Sequence, residues 1–137
     1  MIAPTSALLM LDTNTVSHIV KGNERTLARL TAIPMSQVCI SAITEGELRF
    51  GLAKRPQATR LHRIINEFLQ RVEIKPWDSA TAIAYGTLRS TLEGSGKKIG
   101  ALDLLIAAHA IALDCILITN DAGFGKIRQL KIEDWTA

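Results

Sequence analysis

Length, composition and charge restrict the class of protein that this sequence encodes. The chain has 137 residues, of which 47% are hydrophobic and 21% charged, so it is long enough for one compact domain with a core and too short for two. The absence of a long polar tract excludes an intrinsically disordered chain. A formal net charge of +3 favours an anionic partner such as nucleic acid without requiring one. We therefore expect a single domain over residues 1–137.

The cysteines and the apolar runs indicate the cellular compartment. Cys39 and Cys115 each lie in a short apolar run with no second Cys or His at metal-ligand spacing, which predicts buried free thiols in a reducing environment. The start of the chain lacks the pattern of a signal peptide, and the apolar run around Ile106 is too short to span a membrane. We expect a soluble, cytoplasmic protein with no membrane partner.

Strands and helices are predicted to alternate along the chain. Short apolar runs predict buried strands at 7–11, 37–41, 72–74 and 115–119, and residues 131–135 alternate as an edge strand does. Helical spacing of apolar residues predicts a short helix that ends before Gly22, followed by helices over 24–33, 42–51, 59–70, 79–93 and 101–113. This alternation predicts an α/β domain with a mainly parallel sheet covered by helices on both faces.

Local signals predict where individual helices begin, break and bury a face. Thr13 or Asn14 is expected to cap the first helix, and Gly51 to break the third. In the helix over 79–93, Ile83 is expected to face inward together with two leucines.

The helix over 101–113 is the central hydrophobic element of the sequence. Its only polar residues are Asp103 and His109, so it is expected to be buried on nearly every side. Asp103 lies in the first turn, where free backbone N–H groups favour a carboxylate. A carboxylate beside so much apolar surface nevertheless needs a hydrogen-bond donor or a cation. His109 is expected to be a hydrogen-bonded core or interface residue.

Four acidic residues are predicted to meet at one edge of the sheet. Asp12 and Asp121 follow the first and fourth predicted strands, and Glu47 and Asp103 lie on helices that begin near the same edge. In parallel sheets the functional crevice lies outside the carboxyl ends of the strands. The four carboxylates are therefore expected to line that crevice.

Each of these acids also has a simpler explanation on its own. Asp12 could cap the following helix, and Glu47 lies three residues after Thr44, at the spacing of a capping box. Asp103 could be a first-turn acid and Asp121 an ordinary turn residue. Their joint placement at one edge outweighs these separate explanations, although the residues alone leave Glu45 as a rival to Glu47.

Several carboxylates in one crevice repel each other unless a cation neutralises them. Oxygen ligands without thiolates or paired histidines select Mg²⁺, with Mn²⁺ as a plausible substitute. Such a metal activates water and stabilises the charge that develops on a phosphodiester, which indicates nuclease chemistry. The residues that could form a phosphate-contacting rim are basic and scattered: Lys54, Arg55, Arg60, Arg63, Lys97 and Lys98.

Four segments together resemble the PIN-domain ribonucleases, specifically the VapC toxins of bacterial toxin–antitoxin pairs. The likeness extends over essentially the whole chain in order, and the segments that carry it run over residues 9–14, 40–51, 99–110 and 118–121. Only the first few residues look like an extension. The resemblance implies a PIN-like three-layer α/β domain.

The resemblance also implies a function and a set of site residues. By position, Asp12, Glu47 and Asp103 match the core metal-binding acids, and Asp121 matches a fourth, more variable acid. This match selects Glu47 over Glu45. The polar residues that match supporting positions are Asn14 and Thr119.

The implied activity is that of a Mg²⁺-dependent endoribonuclease acting on structured RNA such as tRNA. The implied partner is a VapB-type antitoxin whose tail enters the active-site groove. A homodimer is expected, as are a hetero-oligomer with the antitoxin and binding of promoter DNA only through the antitoxin.

Two departures and two alternatives accompany this interpretation. Leu102 stands where members of this family often have Asn or Met before the third acid. Asp114 stands where they frequently have a glycine that ends the central helix. A haloacid-dehalogenase-like phosphatase would use Asp12 as its nucleophile, but Asn14 stands where that family has a second aspartate. The other alternative is a PIN-like module that binds RNA or protein without catalysis.

Overall fold

The fold is built on a sheet of five parallel strands. A computed structural model of the chain describes residues 7–137, and the sequence extension at the first few residues lies outside that range. The strands are β1 (Leu9–Leu11), β2 (Val38–Ser41), β3 (Glu73–Lys75), β4 (Ile116–Ile118) and β5 (Lys131–Glu133). Their order across the sheet is β3-β2-β1-β4-β5, and each adjacent pair is parallel. The predicted strands are confirmed, each within a few residues.

Helices connect the strands and cover both faces of the sheet. They are α1 (Thr13–Val20), α2 (Glu24–Thr31), α3 (Ala42–Ala53), α4 (Thr59–Arg71), α5 (Ser79–Gly94) and α6 (Ala101–Ala112). Short 3₁₀ turns occupy Met35–Gln37 and Ala122–Lys126.

The sheet separates two hydrophobic clusters because successive residues of a strand point to opposite faces. Met10 and Leu117 belong to the cluster covered by α5 and α6. Leu11 and Ile118, their neighbours in the chain, belong to the cluster covered by α1, α3 and α4. The predicted α/β architecture, with a parallel sheet between two layers of helices, is confirmed.

Two helix boundaries differ from the sequence prediction. Asp12, and not Thr13 or Asn14, caps α1: its side chain accepts a hydrogen bond of 2.8 Å from the Thr15 N–H, so Thr13 and Asn14 are already helical. Gly51 does not break α3, which continues to Ala53. Glycine lowers helix stability by only about 1 kcal/mol, which the packing of α3 offsets.

Burial of two apolar residues also differs from the prediction. Ile83 is 74% exposed, whereas Leu88 and Leu92 are buried. The buried face of α5 is the one that carries Thr81, Leu88 and Leu92, and Ile83 lies on another side of the helix. In α6 the middle is buried, but Leu102 is 47% exposed, so the helix is not covered at its ends.

The expectation for the two cysteines is confirmed. Cys39 and Cys115 are buried free thiols. Asp114 adopts a left-handed conformation, with φ of 53°, directly after α6. Within residues 7–137, no helix has the length and hydrophobicity needed to cross a bilayer.

Candidate active site

Four carboxylates converge at the carboxyl edge of the sheet. Asp12 directly follows β1, Asp121 follows β4, Glu47 lies in the second turn of α3, and Asp103 lies in the first turn of α6. The charges of Asp121, Glu47 and Asp12 all raise the pKa of Asp103, so each of these three acids lies within electrostatic range of Asp103. The predicted convergence is therefore present in the tertiary structure.

Asp12 is the most deeply buried of the four acids. Its residue is 4% exposed, and one carboxylate oxygen is fixed by the Thr15 N–H. Burial raises the pKa of Asp12 above its ordinary value, hydrogen bonding by Thr119 and Thr15 acts in the opposite direction, and the charge of Asp121 raises it further. Asp12 is thus both a helix cap and a member of the acidic cluster.

Glu47 is oriented by a hydroxyl from another helix. The Thr13 hydroxyl donates a hydrogen bond of 2.6 Å to Oε1 of Glu47, and its oxygen lies 3.4 Å from the Thr44 hydroxyl. Thr44 does not cap α3, because Ser41 does: its Oγ accepts from the Ile43 N–H at 3.1 Å. The capping-box explanation of Glu47 is therefore wrong.

Sequence reasoning treated Thr13 only as a candidate cap and missed this contact. The available signal was its position directly after Asp12, at the end of a buried strand. Glu45 faces elsewhere, where it forms an ion pair of 2.8 Å with Arg49.

Asp103 is held in place by the helix and not by hydrogen bonds to its side chain. It follows the N-cap Gly100 of α6, and its carboxylate has no hydrogen-bond donor within the described chain. Burial is the largest cause that raises its pKa, followed by the charges of Asp121, Glu47 and Asp12. Asp103 is consequently the acid of this cluster that most needs a cation.

Thr119 and Gly123 fix the position of Asp121. The Thr119 hydroxyl, on a residue 1% exposed, accepts a hydrogen bond of 3.0 Å from the Asp121 N–H, and the same side chain acts to lower the pKa of Asp12. Oδ1 of Asp121 accepts from the Gly123 N–H at 2.8 Å. A Cβ at position 123 would lie 3.1 Å from that oxygen, so a side chain there would displace the carboxylate slightly.

The remaining predicted polar residues occupy different environments. Asn14 is exposed on the first turn of α1. His109 is fully buried, with Nδ1 2.8 Å from the Ser41 Oγ and Nε2 without a hydrogen-bond partner in residues 7–137. The prediction of a hydrogen-bonded core histidine is confirmed.

The donor set determines which metal the site could hold. All four candidate ligands are carboxylates, which fits a hard divalent cation. Within the described residues, no three His, Cys, Asp or Glu side chains form a cluster tight enough to hold a metal by themselves. Mg²⁺ fits such an open arrangement because it binds through one or two carboxylates and keeps several waters.

The class of protein that this fold and site define is the PIN domain, whose family profile matches residues 9–130. The tRNA(fMet)-specific endonuclease VapC of Salmonella typhimurium is 33% identical over 127 residues, or 92% of this chain and 96% of that protein. Ribonuclease VapC2 of Rickettsia felis is 35% identical over 136 residues, covering 93% and 98% of the two chains. The crystal structure of DNA-bound VapBC from Salmonella typhimurium superimposes with a TM-score of 0.88 at 34% identity, over 94% of this chain and 98% of that one.

This chain belongs to the PIN-domain family and, within it, to the VapC-type proteins. Membership of this family excludes the haloacid-dehalogenase-like alternative.

Proposed function

We propose that this protein is the toxin of a type II toxin–antitoxin system and acts as a Mg²⁺-dependent endoribonuclease. The observation that carries the proposal is the acidic cluster around Asp103, whose carboxylate faces three others without a hydrogen-bond donor in the described chain. A divalent cation removes that repulsion. Relatives named ribonuclease and endonuclease, matched over nearly their whole length, support RNA cleavage.

The proposed metal ligands are Asp12, Glu47, Asp103 and Asp121, which are also the proposed catalytic residues. When bound, Mg²⁺ or Mn²⁺ would supply Lewis acidity toward water and toward a phosphodiester oxygen. The protein's own contribution is to hold the carboxylates in place before the metal arrives.

Neighbouring residues perform that positioning. Thr13 orients Glu47, and the start of α1 holds Asp12 through Thr15. Thr119 contacts both strand-end acids and is the proposed supporting residue of the buried side of the site. Asn14, which is exposed beside Asp12, is the proposed supporting residue at the open side, where substrate enters.

We further propose tRNA as the substrate and a VapB-type antitoxin as the partner. Support for tRNA comes from the relatives named tRNA(fMet)-specific endonuclease. Support for the antitoxin comes from similar structures described as VapBC and FitAB complexes, two of them bound to DNA fragments. The proposed assembly is a cytoplasmic homodimer that forms a hetero-oligomer with the antitoxin and reaches promoter DNA through it.

A hollow beside the acids provides a place for an antitoxin segment. It has a volume of about 260 Å³ and begins at Thr13 and Glu47. Its apolar lining is Val20, Leu48, Leu61 and Ile65. A partner segment in this hollow would end next to the proposed metal ligands and would block substrate access.

Cleavage of purified tRNA in Mg²⁺, Mn²⁺ or EDTA tests the enzymatic proposal, with mapping of the new RNA ends. We expect cleavage with either metal and none in EDTA. Asp103→Asn and Asp12→Asn should lower the rate at least 100-fold, about 3 kcal/mol of transition-state stabilisation. Glu45→Gln is the matched control, because Glu45 is an acid of the same helix as Glu47 but pairs with Arg49. The proposal fails if the wild type cuts no RNA, or if Asp103→Asn cuts as fast as the wild type.

A further inference from the structure

The basic residues of this chain divide into ion-paired and unpaired groups. Six of them pair with a carboxylate inside the described chain: Arg29, Arg49, Arg71, Lys75, Arg89 and Lys131. Seven of the unpaired ones line three hollows and form two groups. One group, the groove flank, consists of Lys21, Lys54 and Arg55, which line the hollow that contains Thr13 and Glu47.

The second group, the clasp flank, consists of Lys97, Lys98, Lys126 and Arg128. Within residues 7–137 none of these four forms an ion pair. Lys97 borders two hollows of about 490 and 360 Å³, the first shared with Lys98 and the second with Lys126 and Arg128. The four charges therefore surround one continuous stretch of surface.

Two reciprocal hydrogen bonds hold the clasp flank together. The Lys97 ammonium donates to the carbonyl of Lys126 at 3.3 Å, and the Lys126 ammonium donates to the carbonyl of Lys98 at 3.1 Å. These contacts join the segment before α6 to the 3₁₀ turn Ala122–Lys126. The two joined segments lead to two of the acids. Ala101 and Leu104, on either side of Asp103 in α6, line the same hollow as Lys97 and Lys98, and Asp121 caps the 3₁₀ turn that ends at Lys126.

We propose that the clasp flank binds backbone phosphates of the RNA strand on the Asp103–Asp121 side of the cleavage site. The strand then runs from the groove flank, over the acids, to the clasp flank. The proposal rests on the endoribonuclease function proposed above and adds the path of the substrate.

The charge distribution favours a polyanionic strand as the ligand. The acidic cluster repels a phosphodiester, so attraction has to come from cations on either side of it. Lysines and arginines without a carboxylate partner can neutralise phosphates and so release the cations condensed on the strand, which gives sequence-independent affinity. The side chains of Lys98 and Arg128 make no hydrogen bond or ion pair in the described chain, so their charges are free for a ligand.

Binding of a fluorescent RNA oligonucleotide in metal-free buffer containing EDTA tests this surface without cleavage. The variant is Lys98→Ala/Arg128→Ala, which removes two charges and leaves both hydrogen bonds of the clasp intact. Fluorescence anisotropy over a series of salt concentrations should show a salt slope lower by about 1.4 and an affinity roughly tenfold weaker at low salt.

The control is Lys131→Ala, which removes a lysine at the amino ends of β4 and β5, the opposite edge of the sheet. Its salt slope should equal that of the wild type. An unchanged slope for Lys98→Ala/Arg128→Ala would overturn the assignment. The assignment would also be overturned if polyglutamate binding depended on Lys98 and Arg128 and RNA binding did not. The clasp flank would then bind an acidic protein segment.

Cleavage kinetics separate this proposal from the proposed function. In Lys98→Ala/Arg128→Ala we expect KM to rise about five- to tenfold with kcat within about twofold of the wild type, because the acids remain in place. If the wild type neither binds nor cuts RNA, the proposed function fails. If the wild type cuts RNA and this variant has the same KM and salt slope, the proposed phosphate-binding surface is wrong and the proposed function stands.

Discussion

The hydroxyl of Thr13 donates a hydrogen bond of 2.6 Å to Oε1 of Glu47, 34 positions further along the chain. This contact joins α1 to α3 beside the acidic cluster. It gives Glu47 one orientation although the side chain is only half-buried. The other carboxylate oxygen remains available for a metal.

Removal of this hydroxyl should reduce activity more than stability. A hydrogen bond to a charged group contributes about 1.5 to 3 kcal/mol, so Thr13→Val should lower kcat about 10- to 100-fold if Glu47 loses its orientation. Thr13→Ser keeps the hydroxyl and should stay within about threefold of the wild type. Steady-state cleavage and a thermal melt measure the two effects. Equal rates for Thr13→Val and Thr13→Ser would show that the contact does not position Glu47.

Asp103→Asn should increase stability while it abolishes activity. The pKa of Asp103 is raised by burial and by three neighbouring acids, so its ionised form destabilises the folded state at neutral pH. The variant should therefore melt at a higher temperature than the wild type in EDTA. As the pH falls through the raised pKa of Asp103, the wild type binds the proton and the difference should disappear.

Addition of Mg²⁺ provides the second measurement on Asp103→Asn. A ligand that binds only the folded state raises Tm with concentration, so Mg²⁺ should stabilise the wild type and leave Asp103→Asn nearly unchanged. Glu45→Gln should respond to Mg²⁺ as the wild type does. A wild-type Tm that is independent of Mg²⁺ and Mn²⁺ would contradict the assignment of these acids as ligands.

His109 should make the folded state less stable as the pH falls, which is opposite to the effect of Asp103. Burial lowers the pKa of His109 below its ordinary value of 6.5, with Lys75 acting in the same sense and Asp78 and the Pro76 carbonyl in the other. Its contribution to stability is therefore complete above about pH 6.5 and is lost as the pH falls through the lower pKa of the folded state. Urea unfolding between pH 8 and 5 should show this loss.

Two amide substitutions test the contact between His109 and Ser41. Asn places an amide near the position of Nδ1, and so His109→Asn should retain the bond to the Ser41 hydroxyl; His109→Gln should lose it. Both variants lack the titration, and His109→Gln should be less stable by about 1 kcal/mol. A pH dependence in His109→Gln equal to that of the wild type would show that another group is responsible.

Gly123→Ala should displace Asp121. The added Cβ would lie 3.1 Å from Oδ1 of Asp121, and the carboxylate has to move to relieve this contact. Gly125→Ala is a matched control in the same 3₁₀ turn, since its Cβ would meet no atom within 4 Å. We expect the affinity for Mn²⁺, measured by calorimetry without RNA, to fall about tenfold in Gly123→Ala and to stay unchanged in Gly125→Ala. A loss of about this size is usual when a metal site loses a supporting contact. Equal affinities in the two variants would remove Asp121 from the ligand set.

Much of the site was predictable from the sequence because its acids lie at recognisable places in the chain. Asp12 directly follows an apolar strand, and Asp103 starts the most hydrophobic helix. Parallel strands bring such positions to one edge whatever the order of the strands. The sequence could not distinguish a cap from a ligand at Asp12, and the structure shows that it caps α1 within the cluster.

Residues outside that pattern were placed only by tertiary packing. The contact of Thr13 with Glu47 depends on α1 lying beside α3, and the exposure of Ile83 depends on which face of α5 meets α6. The same is true of the clasp between Lys97 and Lys126, which joins loops distant in sequence. Periodicity determines that a helix has an apolar side, but contacts between helices determine which neighbours it meets.

The sequence by itself therefore determined the α/β class and the placement of Asp12, Asp103 and Asp121 at the carboxyl edge, because strand polarity and hydrophobic runs are local properties of the chain. The family resemblance, and not a local pattern, selected Glu47 over Glu45. The strand order β3-β2-β1-β4-β5, the orientation of Glu47 by Thr13 and the contact of Lys97 with Lys126 came only from the tertiary structure. Each of these arises from contacts between segments far apart in the chain, and no local pattern of residues encodes such contacts.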